Sequence, residues 1–419
     1  MKFDGVSIAI SMDFIKGDGM SVNLPKTLAE TVVTAESSFE ARFGRCPSIV
    51  VAAPGRVNLI GEHIDYCDGY VMPFAIPAYT VLAADWSDEH TSAIISAEGS
   101  FGETEFGLVE KLTPGQPSWA NYGKGVIQGF KELGHELGRG IEIQIASDVP
   151  LGAGLSSSAA LEVAFATLWE QLCGVDLGAK AKALLAQKAE HDFAGVPCGI
   201  MDQFASAFGQ EGHVVLIDCL KEEAELVPFK QDDLAVLISN TKVSHALSDG
   251  AYAERRRQTE QALAALGRDS YRGATMEDLA AVKSSLDEVV FRRARHVISE
   301  SERTLEAAEV LKKNDFAKLG ELMNESHVSL RDDFEVSCRE LDVLVDAALE
   351  IGTEGGVLGA RMTGGGFGGS TVTLCQKDRA ASIAAHLSKV YEAKTGIEAQ
   401  ILLVSPADGA MTVPHRCGK

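Results

Sequence analysis

Apolar residues recur along this chain with two periods, and the switches between them mark out its elements. Leu28, Val32, Ala35 and Phe39 share one helical face, so the spacing predicts a helix over 28–42. Short apolar runs at 48–53, 70–76, 80–84, 213–219 and 235–241 read as strands. At 141–145 apolar and polar residues alternate with period two, which predicts a half-buried strand. A Gly-rich turn follows, and then Leu161, Ala164, Phe165, Leu168, Trp169 and Leu172 fall on one face of a helix that ends near Cys173 and Gly174. Residues 118–122 open the helix before that turn, and 181–194 form another, rich in good helix formers. A basic-sided helix begins at Ser248, and a strand-like run occupies 370–374. The acidic stretch at 221–225 reads as a hinge into a second half. This mixture of strands and helices predicts an α/β (α+β) protein. Its expected parts are a weakly patterned extension at 1–25, an N-terminal lobe at 26–222 and a C-terminal lobe at 223–419. No internal repeat or low-complexity tract is present.

At 419 residues the chain is long enough for two sizeable cores. Its net charge of −22 argues against a nucleic-acid or anionic-membrane surface. No apolar run is long enough to span a bilayer, and the patch at 6–10 lacks the basic flank and length of a signal peptide. The eight cysteines form no Cys-x-x-Cys pair and no zinc-like cluster with histidine, which points to the reducing cytoplasm and away from redox or metal-cluster chemistry.

Candidate chemistry concentrates in a few short stretches. In the turn after 141–145, Gly152 and Gly154 let the backbone approach a ligand, and Ser156, Ser157 and Ser158 stand at a helix N-terminus whose N–H groups lack helical partners. This is either a serine-capped helix or an anion site, for which phosphate is the usual occupant. The Gly-Lys-Ser/Thr ending of a Walker A loop is missing. At 54–66, Arg56, Glu62, His63 and Asp65 crowd between apolar anchors. They read either as a solvated loop or as a polyhydroxyl site, since carboxylates and imidazole each bond one or two sugar hydroxyls. Glu190 ends a helix where the dipole disfavours a carboxylate, which hints at a nearby cation. Asp202 follows the turn that begins at Gly199 and serves equally well as a helix cap or a functional acid. The Gly-rich 359–369 precedes a strand where a dinucleotide fingerprint needs a helix, and the protein-kinase motifs are absent.

Together these stretches resemble the galactokinase family of the GHMP kinase superfamily. Residues 150–159 look like its phosphate loop, 55–66 like the family's sugar signature, and 359–369 like its third motif, over a span from about Arg45 to Leu403. Ser370 stands where many members carry Cys. The resemblance implies a two-lobed GHMP kinase fold, with mixed sheets packed by helices and the active site in the cleft between lobes. It implies ATP-dependent phosphorylation of α-D-galactose at the C1 hydroxyl, the first phosphorylation step of galactose catabolism by the Leloir route.

By the same resemblance Asp202 is the acid–base residue, with Arg56 beside the transferring phosphoryl group. Glu62, His63, Asp65, Gly199, Asp202 and Tyr252 bind sugar, and Gly152, Ala153, Gly154, Leu155, Ser156, Ser157 and Ser158 bind ATP. Trp119 and Tyr122 flank the adenine, although aromatics at this spacing are also ordinary core. Ser158 and Glu190, with Ser157 as a further candidate, hold Mg²⁺, for which one or two protein oxygens suffice. The segments at 292–300 and 329–342 are assigned packing between helices. The expected partners are galactose and ATP, with no nucleic acid or membrane, in a cytoplasmic monomer. The alternatives are a kinase for N-acetylgalactosamine, arabinose or galacturonate, and a non-catalytic galactose/ATP sensor. In such sensors the phosphate loop is shortened after the serines, whereas here 156–160 is intact.

Overall fold

The structure, a computed structural model, describes residues 25–97, 99–230, 232–244 and 248–416. The extension expected at 1–25 therefore lies, except for its last residue, outside the described residues. A six-stranded sheet has the order Met411–Thr412, Ile49–Asn58, Pro73–Ser87, Gly140–Ser147, Ser92–Ala97, Gly102–Gly107. Every pairing in it is antiparallel except Ser92–Ala97 against Gly140–Ser147. A four-stranded antiparallel sheet runs Val357–Thr363, Gly368–Gln376, Leu234–Ser244, Gln400–Val404. A small third sheet joins Tyr70–Val71, His213–Asp218 and Glu223–Pro228.

Several expected elements change shape for local reasons. The strand expected at 48–53 is Ile49–Asn58, which carries the chain through Pro54 and Arg56. Proline is tolerated there because the facing Tyr79 carbonyl accepts from the Asp148 N–H at 3.1 Å, and the register shifts between Pro54 and Arg56. The strands expected at 70–76 and 80–84 become the short Tyr70–Val71 and one long strand, Pro73–Ser87. Gly140–Ser147 is buried on both faces rather than half-buried, because the helix Leu28–Phe43 packs on the face opposite Ile141, Ile143 and Ile145, and Arg45 pairs with Glu142 at 2.6 Å. The acidic stretch at 221–225 is not a hinge: it is the turn and first residues of the antiparallel pair His213–Asp218 and Glu223–Pro228.

Helices follow the expected spacing more closely. Leu28–Phe43 starts at a capping box made by Thr27 and Glu30, stops at left-handed Gly44, and buries Val32, Ala35 and Phe39. Ser157–Cys173 ends at left-handed Gly174 and is buried on all sides from Glu162 to Glu170, so its apolar stripe understates its enclosure. The helix expected at 181–194 is α-helical over Gly178–Ala189 and widens to a π-helical turn over Glu190–Ala194. Such turns break the regular side-chain register and are frequent at functional sites. Among the described residues no helix is long and apolar enough to cross a membrane.

One apolar core binds the sheets to each other. Val57, Leu59, Phe74 and Leu155 pack with Val236, Ile238, Val372 and Leu374 in a single buried cluster. The first sheet and the phosphate-loop helix are thereby held against the four-stranded sheet, with a cleft where their loops meet.

Candidate active site

A cavity of about 740 Å³ opens in that cleft. Arg56, Glu62, His63, Asp65, Gly152, Gly154, Leu155, Ser156, Ser157, Ser158, Glu190, Gly199, Asp202 and Tyr252 all line it, as do Gly364–Gly366 of the third Gly-rich motif. Ala153 lies just beneath, fully buried, with its carbonyl accepting from the Ser370 hydroxyl at 2.7 Å. Trp119 and Tyr122 do not line it. Trp119 is half-buried against Phe101, with its indole N–H donating to the Phe101 carbonyl at 3.0 Å. The Tyr122 phenol lies within electrostatic range of Glu190 and Glu162, and burial raises its pKa.

At the centre Arg56, which is 5% exposed, meets Asp202. Its Nε donates to Asp202 Oδ1 at 2.7 Å and its Nη1 to the Gly154 carbonyl at 2.6 Å. One guanidinium thus ties the phosphate loop to the acid. Asp202 is the second residue of Met201–Phe208, and Ile200 precedes that helix as its cap position. The other Asp202 oxygen, Oδ2, accepts from the Ser156 hydroxyl. Ser156 is the N-cap of Ser157–Cys173, yet its side chain makes no capping bond. The hydroxyl that would cap the helix is spent on Asp202, and the helix N-terminus stays open toward the cavity. That decides the loop against a simple serine cap. Ser156 sits at φ 59° and His63 at φ 61°, conformations that non-glycine residues rarely hold unless their surroundings dictate them.

The second wall carries the polyhydroxyl candidates. His63 Nε2 faces the Gly365 carbonyl at 3.1 Å and therefore carries the proton, so Nδ1 accepts from the Tyr66 hydroxyl at 3.0 Å. Burial pushes its pKa down to about 3, which keeps the ring neutral. Burial, with Asp202 and Glu62 adding repulsion, lifts Asp65 to about 7. Burial also raises Glu62, against the opposing pull of Arg361 and Arg56. Tyr252 packs its ring 5.5 Å from His63 and 5.4 Å from Tyr66. A Cβ at Gly199 would meet Asp65 Oδ2 at 1.9 Å, so only glycine lets these two segments converge.

The third wall carries the metal candidates. The Ser158 hydroxyl and the Glu190 carboxylate are hydrogen-bonded to each other. Gln203 Nε2 reaches Glu190 Oε2 at 2.7 Å and the fully buried Glu162 Oε2 at 3.0 Å. Burial raises Glu190, with Asp202 adding repulsion. A carboxylate and a hydroxyl side by side, beside an open helix N-terminus, fit a Mg²⁺ that takes its remaining ligands from phosphate and water. Among the described residues no group of three or more His, Cys, Asp or Glu side chains forms an all-protein cage.

Some supporting residues lie in segments already named, 292–300 and 359–369, but carry no site role there. His296 and Glu300, in the segment assigned to packing, contact the Glu62 backbone, and Arg361 contacts its carboxylate. Only the fold reveals them, since Arg361 lies 299 residues from Glu62.

The chain is similar to known proteins along most of its length. Residues 37–85 match the galactokinase galactose-binding signature, 121–210 the GHMP kinases N terminal domain and 307–393 the GHMP kinases C terminal family. The chain is 47% identical to galactokinase of Homo sapiens over 389 residues, 91% of this chain and 97% of that protein. It is 46% identical to galactokinase of Bos taurus over 387 residues, 91% and 96% of the two chains. The crystal structure of Lactococcus lactis galactokinase complexed with galactose matches with a TM-score of 0.86 at 34% identity, covering 90% of this chain and 98% of that one. Mevalonate kinase of Methanococcus jannaschii, at 18% identity and a TM-score of 0.63 over 86% of this chain and 99% of that one, shares the fold. Three motif-bearing segments in order, near-full-length similarity and a shared architecture lead to one conclusion: the chain belongs to the galactokinase family of the GHMP kinases.

Proposed function

We propose that this protein transfers the γ-phosphoryl group of ATP to the C1 hydroxyl of α-D-galactose, releasing galactose 1-phosphate and ADP, as a cytoplasmic enzyme. The observation that carries the reading is the Arg56–Asp202 pair, which stands where the polyhydroxyl wall meets the open helix N-terminus.

Sugar and nucleotide enter one cavity from two walls. Glu62, neutral His63 and Asp65 together offer carboxylate acceptors and, at His63, an N–H whose present partner is the Gly365 carbonyl. A site whose buried polar groups expect hydroxyls rejects a sugar that lacks them. On the other wall the unpaired N–H groups at the start of Ser157–Cys173 and the left-handed Gly152 and Gly154 form a cradle for phosphate oxygens. Mg²⁺ held by Ser158 and Glu190 would neutralise phosphate charge.

Asp202 accepts the proton of the sugar hydroxyl as the C1 oxygen bonds to the γ-phosphorus and the bond from phosphorus to the ADP oxygen breaks. Ser156 and Arg56 fix the carboxylate from two sides, so it needs no reorganisation. Arg56 also places positive charge beside the oxygens in transfer. Phosphoryl transfer leaves the protein mainly positioning and electrostatic work, and this constellation supplies both.

The test is ADP release with Mg-ATP across galactose, 2-deoxygalactose, N-acetylgalactosamine, arabinose, galacturonate and glucose, with Asp202→Asn beside the parent. Turnover on galactose that falls by at least about 10²-fold in the variant is expected. Preference for another sugar moves the substrate and keeps the mechanism. Absence of turnover on all six, with galactose and ATP still bound, refutes the kinase reading in favour of a sensor.

A further inference from the structure

Glu62 is 1% exposed and lines the cavity, yet none of its polar groups is held by the segment it belongs to. Its carboxylate Oε2 accepts from Arg361 Nη2 at 3.0 Å. Its N–H donates to Glu300 Oε1 at 3.3 Å, and the preceding Gly61 N–H donates to the same oxygen at 3.0 Å. Its carbonyl accepts from His296 Nε2 at 3.0 Å, and Ser329 fixes that ring by donating to Nδ1 at 2.9 Å. All of these partners come from the C-terminal half of the chain.

Arg361 is the junction of this network. It is fully buried, and its remaining donors reach the Asn58 carbonyl from Nη1 at 2.9 Å and the Ser326 hydroxyl from Nε at 3.2 Å. Ser326 in turn donates to Glu300 Oε1 at 2.6 Å, and Arg303 closes Glu300 Oε2 at 3.0 Å. A planar fork that engages three separate acceptors has one orientation, which a lysine could not reproduce. Buried ion pairs are poor stabilisers, because well-packed apolar side chains of similar volume do at least as well. Stability alone therefore gives little reason to bury Arg361 and two glutamates behind a cavity wall.

We infer that Arg361 is a positioning residue for sugar recognition: it acts through Glu62, turning one carboxylate oxygen inward so that only the remaining lone pairs meet the sugar hydroxyls. Ser326 and Glu300 hold Arg361 and the Glu62 backbone in register. The inference rests on the galactose reading above.

The experiment is a double-mutant cycle of Arg361→Lys and Glu62→Gln, with KM for galactose, KM for ATP and kcat measured for all four proteins and galactose affinity read by calorimetry. Arg361→Lys should raise galactose KM and Kd about tenfold, as expected for losing one charge-assisted hydrogen bond, with ATP KM and kcat within about twofold. In the Glu62→Gln background the same change should add less than about threefold. Equal weakening of galactose and ATP, or the same fold loss in both backgrounds, overturns the inference. Should Arg361→Lys fail to unfold cooperatively, Ser326→Ala carries the cycle in its place: an effect confined to galactose and to the Glu62 background supports Arg361, and any other result overturns it. A parent that binds galactose without turning over any sugar refutes the kinase reading, while calorimetry still decides the role of Arg361.

Discussion

Gly199→Ala is the sharpest single test of the sugar wall. The added Cβ would lie 1.9 Å from Asp65 Oδ2, 2.2 Å from its Cγ and 2.8 Å from its Cβ. Ordinary carbon contacts sit near ~3.5 Å, so the Asp65 carboxylate must retreat by more than about 1 Å, and its Cβ by several tenths. Rotation alone does not suffice, because the Cβ itself is too close. The retreat is opposed by Asp202 and Glu62, which already crowd the carboxylate, and by the Tyr66 N–H that holds it. Overpacking of this kind costs about 1–3 kcal/mol of stability, and misplacing a binding group by about 1 Å costs about 10²-fold in rate. The expected outcome is a galactose kcat/KM lowered about 10²-fold, ATP KM unchanged within about twofold, and a lower Tm. Adding Asp65→Gly removes the three atoms nearest the added Cβ, so the double variant should regain Tm relative to Gly199→Ala without regaining activity. A Gly199→Ala enzyme within about fivefold of the parent in galactose kcat/KM would refute the argument.

Three further outcomes follow from the geometry. Glu190→Gln should raise the Mg²⁺ concentration for half-maximal activity by about tenfold or more while galactose binding by calorimetry stays put, and an unchanged Mg²⁺ titration would remove Glu190 from the metal site. Burial holds His63 near about 3 and His296 near about 4, so below about pH 6.5 the unfolded chain takes up protons that the folded chain refuses. Stability from these two groups therefore falls with pH down to about 4, at about 1.4 kcal/mol per pH unit each, whereas Asp65, raised to about 7, works in the opposite direction. His296→Gln should flatten the denaturant midpoint between pH 6 and pH 4 by about one proton's slope, and an identical slope would contradict the buried neutral imidazole. Thr27→Ala removes the capping box of the first helix and should cost about 1 kcal/mol in chemical denaturation, with galactose kcat/KM unchanged.

Most cavity-lining residues were legible because they sit in turns and at element ends, where packing does not dictate residue type. A serine triplet, a glutamate in a last helical turn or an Arg-Glu-His-Asp cluster in one loop stands out against the apolar pattern around it. The positioning groups did not stand out. Glu300 and Arg361 look like ordinary charges on a helix and a strand, and nothing local says that the fold buries them against Glu62. The reading of 221–225 as a hinge failed for a local reason, since the pairing of His213–Asp218 with Glu223–Pro228, and not acidic composition, decides that stretch. Backbone irregularities were equally hidden: the π-helical turn at Glu190–Ala194 continues a good helical sequence and differs only in how its hydrogen bonds close.

The return of Met411–Thr412 to pair with Ile49–Asn58 has a consequence for how the protein is made. During synthesis the strand that carries Arg56 waits with one edge open until some 350 further residues have left the ribosome. The Glu62 loop waits almost as long for residues 296–361. No early intermediate can own a finished site, and an unpaired edge during translation is an invitation to the wrong neighbour. A chain without Met411–Thr412 leaves the Val51–Ala52 edge of the strand that carries Arg56 without its second partner.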